Sequence, residues 1–155
     1  MSNTIMRKED YLNFPKYKMV DGRRYGPTRQ NHYYQPAWYH NPIDATNNKG
    51  KKAKQKEHED KTHWVLDKPK QYHVFRIADE NKIRDNRGIY SVLDKLVLGE
   101  NGQILAFFKE PGNDTWHGYP VFTWEEPVSE ALLKKMTKKG MISEITKQRL
   151  LDGRL

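Results

Sequence analysis

The sequence predicts an α+β protein: a small, mostly antiparallel sheet with two short C-terminal helices, preceded by an extended, basic, aromatic-rich N-terminal arm. Three observations lead there. Prolines at 15, 27, 36 and 42 leave no room for a long helix in the first 48 residues. A charged run follows, Lys-Gly-Lys-Lys-Ala-Lys-Gln-Lys-Glu-His-Glu-Asp-Lys at 49–61, with no apolar residue larger than Ala53. Beyond it, short aromatic and β-branched runs give way to two segments with helix-start and helix-stop signals. The expected organisation is therefore an arm at 1–48, a charged linker at 49–62 and a compact domain at 63–155.

The arm is not an ordinary tether. Between its prolines lie Tyr11, Phe14, Tyr17, Tyr25, Tyr33, Tyr34, Trp38 and Tyr39, whereas disordered segments are poor in rings. Such a segment is expected to lie across a surface, its own domain or a partner, and to anchor itself ring by ring. It is also expected to be removable without loss of the domain's own unfolding transition.

In the domain, Tyr72–Ala78 (YHVFRIA) predicts a strand, being short, aromatic and β-branched. Ile89–Leu98 fits both periods. Its apolar residues match i, i+3, i+4, i+7, i+8, yet Asn101-Gly102 is the dipeptide favoured in a type I′ hairpin turn. The hairpin is preferred because it sets Leu98 opposite Leu105 and Leu96 opposite Phe107, with Gln103–Lys109 as the return strand. Pro111-Gly112-Asn113-Asp114 predicts a turn, and Tyr119–Trp124 a strand with Pro120 near its start, where a missing donor costs least. Two helices close the chain. One starts at a Ser129 cap and stops at Gly140; the other starts at Ser143 and stops at Gly153.

The net charge of +8 is unevenly placed. The first 70 residues hold 15 Lys+Arg against 8 Asp+Glu, and the remainder 13 against 12. A localised positive field attracts polyanions: nucleic acid, acidic protein or anionic lipid. With no cysteine, disulfides and thiolate metal sites are excluded. No apolar run approaches the roughly 18 residues that span a bilayer, and Met1–Asp10 lacks the apolar core of a secretory signal. An intracellular protein is expected.

No phosphate loop, HExxH, GxSxG or EF-hand pattern is present, and no cofactor is expected. His58 and His63 are five apart, whereas ligands sharing a helical face need a spacing of three or four; no metal is expected. The distinctive stretch is Asn113–Pro120, where Trp116, His117 and Tyr119 crowd together. His117 there suits a general acid/base or anion ligand, with Trp116 or Tyr119 as a stacking face; plain packing is the simpler account. Were the strand at Tyr72–Ala78 to lie beside that at Tyr119, His73 would meet His117. The pair, with Arg76, Arg84 or Arg87, would suit metal-free RNA cleavage. In the arm, Arg23, Arg24 and Arg29 interleave with Tyr25, Tyr33, Tyr34, Trp38 and Tyr39, combining phosphate contacts with stacking faces as single-stranded RNA binding requires. The same rings suit a protein interface. Lys134, Lys135, Lys138 and Lys139 on the first C-terminal helix add phosphate contacts to a helix-turn-helix reading.

These residues lead to a non-enzymatic binding or assembly protein whose arm attaches to a protein complex, single-stranded RNA or both. The alternative is a small toxin-like ribonuclease centred on His117.

Overall fold

The computed structural model describes residues 11–41 and 61–153; most of the charged run at 49–61 lies outside them. The class is α+β, with a four-stranded mixed sheet, three α-helices and a short 3-10 turn at Trp38–His40 among the described residues. Strands β1 (Tyr33–Tyr34), β2 (Ile89–Ser91), β3 (Leu105–Gly112) and β4 (Thr115–Val121) lie in the order β1-β4-β3-β2. The β2, β3 and β4 pairings are antiparallel, and β1 runs parallel to β4. The helices are α1 (Lys68–Glu80), α2 (Glu130–Lys138) and α3 (Glu144–Leu151). None is long and apolar enough to cross a membrane, among the described residues.

Helix α1 occupies the segment expected to be the first strand. Asp67 caps it, its side chain accepting from the Lys70 N–H at 3.2 Å, and Pro69 sits in the first turn, where a missing donor costs nothing. One side of α1 lies on the sheet, with the Phe75 ring 5.1 Å from Phe108 and Ser91 Oγ donating to the Val74 carbonyl. The other side is covered by the arm. Tyr17 meets Tyr72 edge-on at 4.7 Å, and Phe14 meets His73 at 4.7 Å. A helix covered on both sides shows no polar stripe, so its apolar residues run together as those of a strand do.

The turn at residues 99–102 forms, closed by Gly102 N–H on the Gly99 carbonyl and by Leu98 N–H on Gln103 O. The long hairpin around it does not. β3 pairs instead with β2, setting Tyr90 opposite Phe107 and Ser91 opposite Ala106, while Val92, Leu93 and Leu98 turn into the core from the connection. Two successive positive-φ residues do close a tight hairpin, at Asn113 and Asp114 (φ 57° each), between Gly112 and Thr115. β4 starts at Thr115, not Tyr119, so Pro120 sits inside the strand opposite Ala106. β1 reaches only as far as Trp116, which leaves β4 without a partner on that side at Pro120. Trp124 lies beyond the strand, 67% exposed.

Both C-terminal helices form as their caps predict, with Ser129 and Ser143 accepting from Leu132 and Thr146 N–H. Gly140 and Gly153 follow them at positive φ.

The described part of the arm shares the domain's core. Tyr11, Tyr25 and Tyr34 are buried with Phe75, Phe107 and Phe108 in one cluster. Tyr34 is fully buried, and its hydroxyl donates to Gln71 Oε1 at 2.7 Å. Gln71 Nε2 donates onward to Asn41 Oδ1 and the Leu66 carbonyl, and Asn41 Nδ2 to the Ala37 carbonyl. Removing the arm would open this core, contrary to the expectation that it can be cut away freely.

Candidate functional site

His73 and His117 do not meet. His73 sits on α1, which covers one face of the sheet, and is enclosed by the arm. Its Nε2 donates to the Tyr11 carbonyl at 2.7 Å, so Nδ1 is the acceptor and takes the Tyr17 hydroxyl at 2.9 Å; Arg76 Nη1 donates to that same hydroxyl at 2.7 Å. Burial pushes the imidazole below its ordinary pKa, and Arg76 adds to the shift, against the opposing bond to Tyr11. A buried neutral histidine binds fewer protons folded than unfolded. Its contribution to stability is therefore whole above pH 6.5 and is lost as pH falls below that value toward the lower folded-state pKa. The loss is confined to the interval between the two pKa values and stays below the one-proton limit of about 1.4 kcal/mol per pH unit. Urea unfolding at pH 7.5 and 5.5 tests this against His73→Gln; parallel losses in the two proteins would refute it.

His117 belongs to the other face. Along β4, Trp116 and Gly118 turn toward α1, the Trp116 ring lying 6.1 Å from Phe75. A Cβ at Gly118 would stand 2.0 Å from Phe108 Cδ1, so this glycine makes room for a ring; it is not a flexible joint. Thr115, His117 and Tyr119 alternate onto the opposite face, where His117 pairs across the ladder with Lys109, and Tyr119 with Phe107. His117 Nδ1 donates to the Gln35 carbonyl at 2.9 Å. Gln35, Thr115 and His117, with the hairpin residues Pro111, Gly112 and Asn113, line a shallow pocket of about 270 Å³.

The arm completes this face. Tyr33 is the β1 partner of Thr115, and the Arg24 guanidinium lies 4.2 Å from the Tyr33 ring centroid. Arg24 is fixed there by Asp21, which accepts from its Nε at 2.8 Å, and by Thr115 Oγ1, which accepts from Nη1 at 3.1 Å. The Arg24 side chain and the Arg23 backbone together hold the Asp21 carboxyl down to about 2. Farther along, His40 stacks on Tyr119 at 4.9 Å, Tyr39 meets His40 edge-on, Lys61 lies over Tyr39, and Trp38 is 44% exposed.

The candidate residues thus divide. Arg24, Tyr33, His117 and Tyr119 share the open face, and Trp38 and Tyr39 extend it. Tyr25 is buried, stacked on Tyr72, and Tyr34 lies in the core. Trp116 is 3% exposed and turned to the α1 side. Arg23 and Arg29 are exposed outside the cluster, their backbone N–H groups donating to Asp21 and Glu80. Sequence reasoning missed Thr115, Gln35 and Lys109. Only the alternation of β4, once its start is known, puts Thr115 in register with His117. No group of metal-binding side chains occurs among the described residues.

Comparisons with protein-family models, with curated proteins and with solved structures find no match to this chain.

Proposed function

We propose that the protein is a non-enzymatic binding or assembly factor that attaches to an RNA-containing partner through residues 11–41 and the sheet face they complete. The observation carrying this is the Arg24–Tyr33–Thr115–His117 arrangement. A guanidinium is held in place on an aromatic ring, beside a shallow pocket, with Lys109 across the ladder from His117. Fixed cations and partly exposed rings on one sheet face suit a single strand, whose phosphates meet the charges and whose bases stack. Charge agrees: residues 11–41 carry Lys16, Lys18, Arg23, Arg24 and Arg29 against one acid, Asp21, which is bound to Arg24.

Fluorescence anisotropy with a short labelled uridine oligomer tests the reading. Arg24→Ala and Tyr33→Ala should each weaken binding about tenfold, since a stacking contact is worth about 1–3 kcal/mol. The wild-type affinity should fall steeply with salt. Wild-type affinity in both variants would remove the face from the function. The ribonuclease alternative loses its partner for His117, because the sheet lies between it and His73. RNA left intact by concentrated protein separates the two readings.

A further inference from the structure

Beyond the open face, the described residues string cations from α2 to the start of β4. Lys135 on α2 donates through Nζ to the Lys82 carbonyl at 2.9 Å, which brings α2 against the loop that follows α1. Burial first, and then the charges of Lys139 and Lys82, hold the Lys135 ammonium below the ordinary lysine pKa. Arg84, two residues beyond Lys82, lies with its guanidinium 5.4 Å from the Trp116 ring centroid. The His32 ring lies 5.4 Å from that same indole, and Thr115, next along β4, holds Arg24. Three acids along this line are already bound, and Asp114, at its far end beside Thr115, is exposed. Asp79 accepts from Thr28 and His32, Glu80 from Arg76, and Asp85 from the backbone of Arg87 and Gly88. Gathering like charges without acids between them costs energy, which an anionic ligand offsets.

We propose that Lys139, Lys135, Lys82 and Arg84 form a track for the phosphodiester backbone of a single-stranded nucleic acid, leading from α2 round the start of β4 to the Arg24–Tyr33 face. This rests on the function proposed above and gives the strand its route beyond the face. A line of separate cations, two from the end of α2 and two from the loop that follows α1, suits a chain of spaced charges. A lipid surface would require a plane of cations, and a single acidic side chain would need only one of them. The track also gives the α2 lysines a role without a helix-turn-helix: they meet phosphate, and no base edge is read.

Uridine oligomers of about 4 and about 16 nucleotides separate the track from the face. Lys135→Gln/Lys139→Gln should bind the longer oligomer about tenfold more weakly at 0.15 M salt, and its salt slope should shrink by about 1.4, because each phosphate contact on a single strand contributes about 0.7. Binding of the shorter oligomer should be unchanged, and Lys135→Arg/Lys139→Arg should restore the longer one. Unchanged affinity for the longer oligomer, or equal losses on both lengths, would overturn the track while leaving the face standing if Arg24→Ala still weakens short-oligomer binding about tenfold. Failure of the wild-type protein to bind either length overturns both. Polyglutamate that competes fully with the longer oligomer, and is itself lost by the lysine variant, would overturn the nucleic-acid assignment and give the track to an acidic protein.

Discussion

Replacing Tyr34 with alanine should cost about 3–5 kcal/mol of stability, the range for deleting a large ring from a closed core. Tyr34 is fully buried, with its ring 5.8 Å from Phe75 and 5.7 Å from Phe108. It also starts the polar chain through Gln71 and Asn41, so the loss reaches beyond its own contacts. Tyr34→Phe isolates that component. The ring stays, Gln71 Oε1 loses its donor, and about 1 kcal/mol should go. Urea unfolding of both variants gives the comparison. A cost below about 1 kcal/mol for Tyr34→Ala would mean that residues 25–34 unfold separately from the rest, and that the arm is a detachable strap.

Asp79→Ala should cost about 3 kcal/mol, and here the sign is more informative than the size. Asp79 lies in the last turn of α1, at the negative end of the helix dipole, and it is buried. For the helix by itself that placement is unfavourable, and alanine would be neutral or better. Asp79 is there for the arm: its oxygens accept from Thr28 Oγ1 and from His32 Nδ1 at 2.8 Å. Removing it strands two donors in a largely water-free place. The amides of Tyr25 and Tyr34, which bond reciprocally to each other's carbonyls at 2.9 Å, should then exchange faster with solvent, while those of α2 and α3 change little. A variant as stable as wild type, or more so, would show that the helix decides at this position and the arm does not.

The parts of the fold that were legible are those whose signals are local. Ser129 and Ser143 cap helices and Gly140 and Gly153 end them, because capping is settled within one turn of backbone. What failed depended on partners far away in sequence. Tyr72–Ala78 has the composition of a strand because Tyr17, Phe14 and the sheet bury it from opposite sides; the contrary local signal was Asp67 ahead of Pro69. Asn101-Gly102 does lie at a turn, but a favoured dipeptide fixes a bend, not the strands on either side of it. The two-residue positive-φ hairpin formed at Asn113-Asp114 instead, where β3 and β4 have enough apolar residues to pair. At the candidate site, residue types were readable and placement was not. Arg24, Tyr33 and His117 stood out singly, but their meeting needs the parallel pairing of β1 with β4, which no sequence period announces.

That same pairing sets an order on how the chain can close. Tyr11 donates its hydroxyl to the Lys139 carbonyl across 128 residues, and Gln35 meets His117 across 82. Ends so far apart in sequence pay most of their loop-closure entropy before any contact repays it, and folds built on such contacts are slow. During synthesis residues 11–41 precede every element they pack on, and β4 and the Lys139 carbonyl emerge well after α1. Until β3 and β4 have been made, the rings of Tyr11, Tyr25 and Tyr34, destined for the core, have no complete core to enter, and the nascent chain carries them uncovered.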